Sequence, residues 1–385
     1  MRHRLARAGF WAGAAVIVHT LVGLPAALVV RAALRPRPVA GPADASEALP
    51  HVTVVLAAHQ EVAVIAEKVR NTFALDHPAA SIDLVLVCDG CTDGTASAAR
   101  AAMPAGDGRL SVIEVPRGGK NAALRAGIAA ARGEVLLFTD ADAMLAPDAL
   151  AHLLGPLRDP AVGGSAGRVS FAIDGEVAGE HGYWAAEDAL RRLQTRGGSL
   201  TSAAGPVYLV RRGFAHPPPD GVTDDFWISV QVPVGGRRLV FVPDAAAHLP
   251  PPPSLRREFR RKVRIICAGL RGVWLLRGRF RGRFIDIQIV THKALRRLLV
   301  IPATAMWLSS CVLARRHPAH AVIAVAGGLG VAGAGAAVAL EGTSLGRLRP
   351  LRVAAHLATT LAASVAALAQ LARGARNDTW GGDGA

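Results

Sequence analysis

The chain has 385 residues, 51% of them hydrophobic, and a formal charge of +15 at pH 7. Its mean hydropathy of +0.31 is high for a purely soluble protein, and its length suits one large domain with extra elements, or two domains. The basic, arginine-rich balance fits nucleic acid, an anionic membrane surface or a polyanionic small substrate, and composition alone does not choose among them.

The first element is an uncharged apolar run, Phe10 to Val30, about the length that crosses a bilayer as a helix. It follows MRHRLAR, a basic start that a signal peptide would share, but no convincing small-x-small cleavage site precedes Arg31, Arg35 and Arg37. Residues 35–50, RPRPVAGPADASEALP, read as a Pro/Ala linker. Strand and helix patterns then alternate. HVTVVLAA, IDLVLVCD, LSVIEV and EVLLFTD read as strands, and helices are expected over Glu61 to Phe73, from near Asp93, and over Lys120 to Arg132. Alternation of this kind predicts an α/β fold with a parallel sheet covered on both faces, and the strands are continuously apolar as doubly covered strands should be.

After Asp159 the pattern loosens. A strand over Gly164 to Ile173, a helix over Glu176 to Arg196, the strand VYLVRR, a helix from about Asp224 and the strand RRLVFVP are expected. From Ser254 to Phe284 the chain is densely basic, carries Trp274, Phe280 and Phe284, and reads as an amphipathic helix on an anionic leaflet. No aromatic-lined nucleic-acid module accompanies it, so nucleic acid is not the expected partner. Three more apolar runs follow, Leu298 to Ala314, Ala319 to Leu340 and Val353 to Ala372. Each alone is compatible with a buried core helix; together they predict a membrane bundle. Cys88 and Cys91 form one C-x-x-C without the partners of a zinc or redox site, and all four cysteines read as reduced fillers.

The polar clusters sit where the predicted strands end, which is where open parallel sheets bind ligands. The first strand runs into AAHQE, the second into CDGCTDGT and the fourth into DADA. Asp140 and Asp142, two apart, would point the same way in extended chain. Paired carboxylates there suit a divalent cation, Mg2+ or Mn2+, completed by a diphosphate. The plain alternative is a turn with Asp142 capping the next helix. Asp89 ends a buried strand and can accept bonds from a base or ribose; Asp93 and Thr95 read as helix caps. RGGKNAA offers amides and Lys120 to an anion, without P-loop spacing.

In that order, the strand with AAHQE, CDGCTDGT, GGKNAAL, FTDADA, TDD and FRRKVRI resemble membrane-bound glycosyltransferase family 2 over roughly residues 50 to 270. The resemblance implies a GT-A fold: a Rossmann-like, mostly parallel catalytic domain with flanking transmembrane helices. It implies donor-side roles for His59, Glu61, Asp89, Lys120, Asp140, Arg261 and Arg264, with Asp142 the more direct metal ligand beside Asp140. GVTDDFW resembles the family's T-E-D-type motif, which places the catalytic base at Asp225 and puts Asp224 where glutamate is usual. Helix capping is the plain alternative for both. EFRRKVRIICAG lies where many members have Q-x-x-R-W, but Ile265 stands in place of the tryptophan, which argues against polymer synthesis. Ala204 stands at an often polar position, and core packing is the expected role of Tyr183 and Trp184.

The expected organisation is a transmembrane helix over 1–34, a linker over 35–50, a GT-A domain over 51–253, basic interfacial helices over 254–296 and a three-helix bundle with tail over 297–385. The expected activity is inverting, metal-dependent sugar transfer from a nucleotide-sugar, a UDP-sugar foremost, to a hydroxyl of a glycan or lipid-linked acceptor, at an inner membrane with the catalytic domain cytoplasmic. The rivals are transfer to a polyprenyl phosphate and a catalytically silent nucleotide-binding subunit.

Overall fold

The computed structural model describes residues 1–43, 49–78, 81–104, 106–171, 178–250, 255–340 and 349–373. One helical rod opens the chain, α1 (Arg2–Val18), a π-helical turn (His19–Gly23) and α2 (Leu24–Leu34). The sheet region then runs β1 (Val52–Ala58), α3 (Ile65–Phe73), β2 (Ile82–Asp89), α4 (Thr95–Ala101), β3 (Leu110–Val115), α5 (Lys120–Ala130) and β4 (Val135–Phe138). It continues through β5 (Met144–Leu145), α6 (Ala149–Leu154), β6 (Val162–Phe171), α7 (Ala178–Gly197), β7 (Tyr208–Arg211), α8 (Asp224–Val234) and β8 (Arg238–Leu249). After it come α9 (Leu255–Leu276), α10 (Phe284–Ile289), α11 (Val300–Leu313), α12 (Pro318–Ala339) and α13 (Arg349–Ala372).

The eight strands form one sheet in the order β3-β2-β1-β4-β7-β6-β8-β5. The first four strands are parallel to their neighbours. β7 then enters antiparallel between β4 and β6, while β6 and β8 are again parallel. The sheet is mostly parallel, as expected. The two-residue β5, antiparallel to β8, is too short to carry a pattern in the sequence.

Two-sided burial explains the apolar strands. Along β1, Val52, Val54 and Leu56 face one core with Ile65, Val69, Leu150 and Leu153. Val55 and Ala57 face the other, with Ala123, Leu124, Ile228 and Val232. Period-two alternation thus sends successive apolar residues to opposite helix layers.

Residues 35–43 are pinned rather than loose. The Arg37 amide donates to the Arg196 carbonyl at 2.9 Å and that of Ala43 to Ala151 at 2.9 Å. The buried Arg238 guanidinium donates to the carbonyls of Pro38, Arg37 and Thr195. The first helix is therefore tied to the sheet domain by backbone groups that a free linker would give to water.

The basic helix expected after Ser254 is α9, and it packs on two sides. Val273 and Leu276 of α9 meet Phe226 and Val230 of α8, and Val263, Ile266 and Cys267 meet Ala363 and Ala367 of α13. Phe280 joins the first of these clusters, and Phe284 lies under Arg31 at 4.9 Å. Of the three aromatics, Trp274 stays exposed at 58%, stacked by Arg277 at 3.6 Å.

Among the described residues two helical segments are long and apolar enough to cross a membrane, Arg2–Leu34 and Pro318–Ala336. The expected span Leu298 to Ala314 falls on α11. α11 has 14 residues, about 21 Å of helix against a hydrocarbon core of about 30 Å. It makes one candidate only together with Phe284–Leu298, bent from it by 53°. The expected span Val353 to Ala372 falls within α13 (Arg349–Ala372). Glycine makes the tight contacts here: a Cβ at Gly13 would lie 2.6 Å from the Pro302 carbonyl oxygen, so α1 and α11 approach backbone to backbone.

Candidate active site

The chain gathers its chemistry beyond the carboxyl ends of the parallel strands, in a cavity of about 510 Å³. Glu61, Lys120, Asp140, Asp142, Asp224, Asp225, Arg261 and Arg264 all line it. Eight of the ten residues singled out from the sequence are thus brought together. His59 and Asp89 are not among the lining residues. Ala204 and Ile265 line the cavity too, while Tyr183 and Trp184 fall outside the side chains described.

Asp89 shows what it does instead. It is fully buried at the end of β2, where it takes an Arg117 guanidinium N–H at 2.9 Å and the amides of Gly118 and Gly119 at 2.6 and 2.9 Å. The amides of the RGGK turn, expected to face a ligand anion, are spent on this carboxylate. The His59 ring pairs with the Asp89 carbonyl at 2.7 Å, which ties the ends of β1 and β2 together. Asp93 also works within the chain. Its carboxylate accepts from the Thr95 amide and hydroxyl and from the Val62 amide, which fixes the entry to α4 and the turn that carries Glu61.

The D-A-D stretch lies beyond β4 in a turn, closed by the Ala143 amide on the Asp140 carbonyl at 3.3 Å. The extended-strand argument therefore does not apply, yet both aspartates reach the cavity. Asp142 does not cap the next helix either; Asp148 is the residue at that position. Asp140 pairs with Lys120 at 2.7 Å, and the same ammonium reaches Asp224 at 3.1 Å. Lys120 thus bridges the DADA turn and the TDD turn. Burial would lower the pKa of its ammonium, but Asp140 and Asp224 outweigh that and raise it. Burial likewise works to raise Asp140, and Lys120 holds it below the usual carboxylate range.

The remaining carboxylates carry unrelieved charge. Burial and then Asp140 raise the pKa of Asp142; burial, Asp142, Asp140 and Asp93 push Glu61 up to about 7. Such a rim favours a cation. Among the described residues no three His, Cys, Asp or Glu side chains form a cage. The protein would therefore offer an oxygen-only, partial donor set, which fits a hard divalent ion that keeps other ligands from water or phosphate.

On the opposite wall, Asp224 and Asp225 open α8 behind the cap position Thr223. Asp225 accepts from the Gly205 amide at 3.1 Å and the Phe226 amide at 2.7 Å and faces the cavity. Burial raises the carboxyl of Asp224, with Asp225 and Asp140 adding to it against Lys120. The loop before α8 hangs from α5: Asn121 donates to the carbonyls of Pro219 and Val222 at 2.8 and 3.1 Å, and Arg125 pairs with Asp220 at 2.7 Å.

Four groups escaped the sequence reading. Lys293 and Arg297 line the cavity from the segment after α10, and nothing in that basic stretch pairs them with a distant site. Glu187 of α7 binds Arg296 at 3.0 Å and lies 3.7 Å from His292, clasping that same segment. Lys68 is buried on α3, where Ile65, Lys68, Val69 and Thr72 share the buried face. A lysine on an apolar stripe was the available signal. Burial pulls its ammonium down to about 7, with Asp140 and Asp142 working the other way.

Comparison with known proteins agrees with this geometry. Residues 53–216 match the family model described as glycosyl transferase family 2. An N-acetylglucosaminyltransferase of Rhizobium meliloti (strain 1021) is 26% identical over 270 residues, 64% of this chain and 63% of that protein. One from Azorhizobium caulinodans is 28% identical over 245 residues, 57% of this chain and 60% of that protein. The matches thus span less than two thirds of these relatives. Among solved structures, a mannosyltransferase from Pyrobaculum calidifontis in complex with GDP-Man and Mn2+ superposes with a TM-score of 0.70 at 22% identity, covering 96% of this chain and 98% of its own. The likeness shows the GT-A fold and extends over the flanking helices.

Proposed function

Because the chain carries a family 2 glycosyltransferase domain, we propose that it is a membrane-bound, metal-dependent, inverting enzyme that moves one sugar from a nucleotide-sugar to a hydroxyl of a glycan or lipid-linked acceptor. One observation carries the reading. A single cavity joins the D-A-D pair, the T-D-D pair and two α9 arginines, with Lys120 bridging the two aspartate motifs.

In this reading Asp142, with Asp140 beside it, holds Mg2+ or Mn2+; the bound cation would offset charge on a nucleoside diphosphate leaving group. Glu61, which faces the cavity where Asp89 does not, is the nucleoside-side carboxylate. Arg261 and Arg264 suit the diphosphate, where guanidinium geometry is favoured. Asp225 takes the proton of the acceptor hydroxyl as its oxygen attacks the anomeric carbon. One base opposite the leaving group implies direct displacement, hence inversion. Ile265 at the cavity wall offers no aromatic platform for a growing chain, which supports release after one addition or a few.

A membrane setting is supported by the two apolar helical segments and by exposed Trp11, Val22, Val29, Val325 and Leu329 along them. Arginines flanking the sheet domain favour a cytoplasmic catalytic side. The names of the relatives favour N-acetylglucosamine as the sugar, carried as a UDP-sugar.

The test is a panel of nucleotide-sugars, UDP-N-acetylglucosamine and GDP-mannose included, with products read by mass spectrometry. Transfer of one sugar in the presence of Mn2+ is expected, and long products beside unused acceptor would overturn the non-processive part. In isothermal titration, Asp142→Asn should lose Mn2+-dependent UDP binding; unchanged affinity would remove Asp142 from the metal site.

A further inference from the structure

Lys68 has no place in that mechanism, yet it is among the most buried large side chains of the protein, at 0% exposure. Burying an amine that can ionise is costly where an apolar residue would fill the same space. Its contacts explain why it is kept. Nζ donates to the Thr139 hydroxyl at 2.9 Å and to the Ala143 carbonyl. Those two residues bracket Asp140, Ala141 and Asp142.

One helical turn on, Asn71 donates to the Leu145 carbonyl and accepts from the Leu145 amide, both at 2.9 Å. Helix α3 therefore grips the D-A-D turn at three points from below, while the aspartates look into the cavity from above. A turn held at both ends cannot relax when its two carboxylates repel each other. Asp142, with its neighbour's charge opposing its own ionisation, is the group that such relaxation would displace.

Resting on the metal-dependent reading above, we infer that Lys68 is a positioning residue for cation binding: its two hydrogen bonds tie down the Thr139 side chain before the D-A-D pair and the Ala143 carbonyl after it, and hold Asp142 where a divalent ion meets it. The opposite sign follows if Lys68 acts through charge alone. A buried cation repels an incoming one, so removing the charge would tighten metal binding. Clamp and charge thus predict opposite outcomes for one substitution.

The experiment measures Mn2+ affinity of the purified full-length chain with saturating UDP, by the electron paramagnetic resonance signal of free Mn2+. Lys68→Met should weaken Mn2+ binding by about tenfold or more, with the thermal midpoint recorded alongside. Thr139→Val keeps the shape and deletes the hydroxyl; it should weaken binding several-fold, and Thr139→Ser should restore it. The double variant should be no worse than Lys68→Met alone, because the two share one bond. If Lys68→Met fails to fold, the Thr139 pair still decides. Unchanged or tighter Mn2+ binding in Lys68→Met, or in Thr139→Val, overturns the clamp. Asp142→Asn serves as the control. If it binds Mn2+ as well as wild type, the cation site itself is wrong and this inference falls with it. If it loses Mn2+ while the Lys68 and Thr139 variants do not, the clamp alone is wrong.

Discussion

The two walls of the cavity treat their carboxylates in opposite ways. On the side built by β1 to β4, Asp89 takes three donors from its own chain at full burial, and Asp93 takes three more. On the side built by α8, Asp225 takes two backbone amides and faces open space. A carboxylate saturated by buried amides holds the frame, since its acceptor capacity is filled and water is excluded. One that keeps capacity and faces a cavity can take a proton from a substrate. Position at a strand end does not separate these two uses; the count of donors does.

The sharpest way to break that distinction is to neutralise one carboxylate of each kind. Asp225→Asn should slow sugar transfer by about 10²- to 10⁴-fold, the span for a positioned base, with donor affinity nearly unchanged. Asp224→Asn should cost less, because Asp224 is engaged with Lys120. Steady-state rates and donor titrations of both variants check this, and the reverse order of severity would move the base to Asp224.

Asp89→Asn should instead act on the fold. It puts an NH2 group where Arg117 and two backbone amides need an acceptor, which should cost about 1–3 kcal/mol, as leaving a buried donor without its partner does. Denaturant unfolding of the purified chain would measure it. A stable variant with weakened donor binding would mean that Asp89 serves the ligand after all.

Much of the sheet-side wall could be read before the structure because its parts are local. Each of AAHQE, CDGCTDGT and DADA follows its own strand, so strand pattern and motif together place the residues. The α8 wall could be read only motif by motif. Asp225 meets Gly205 across the fold, Asn121 carries the loop that leads to Thr223, and Lys293 arrives from a helix more than sixty residues beyond Asp225. No period or spacing encodes such meetings. The role of the RGGK amides was misread for a related reason: a turn that can bind an anion looks the same whether the anion is a phosphate or the chain's own Asp89. In the basic stretch after Ser254 charge density does not tell inward from outward arginines; the family resemblance singled out Arg261 and Arg264, and both line the cavity.

A smaller effect probes the frame without touching any charge. Gly90 follows Asp89 at φ 60°, and a Cβ there would stand 2.9 Å from the Arg117 Cβ. Gly90→Ala combines a left-handed alanine, about 1–2 kcal/mol, with a push on the arginine that holds Asp89. It should lower the thermal midpoint and leave Asp225-dependent turnover nearly intact. Equal loss of turnover and stability would mean that the frame and the α8 wall are coupled more tightly than their separate hydrogen bonds imply.

The last predicted effect belongs to Glu61, which lies on the sheet side of the site and, unlike Asp89, faces the cavity. Burial and the charges of Asp142, Asp140 and Asp93 raise it from 4.5 to about 7. In the unfolded chain that field is gone and Glu61 ionises near its ordinary value. Between the two values the folded protein keeps a proton that the unfolded chain has released. Stability must therefore fall as pH rises from 4.5 to about 7, and level off above. A salt-bridged carboxylate does the opposite. Glu61→Gln has no proton to lose, so the contribution disappears: the variant should match wild type near the acid end and exceed it near pH 8. Thermal midpoints of both metal-free proteins, taken from about pH 5 to about pH 8, isolate this slope, because other titrating groups are common to both. Curves that stay parallel would show that the carboxylates of the D-A-D turn do not reach Glu61, and this wall would then lack the excess negative charge on which the proposed cation binding depends.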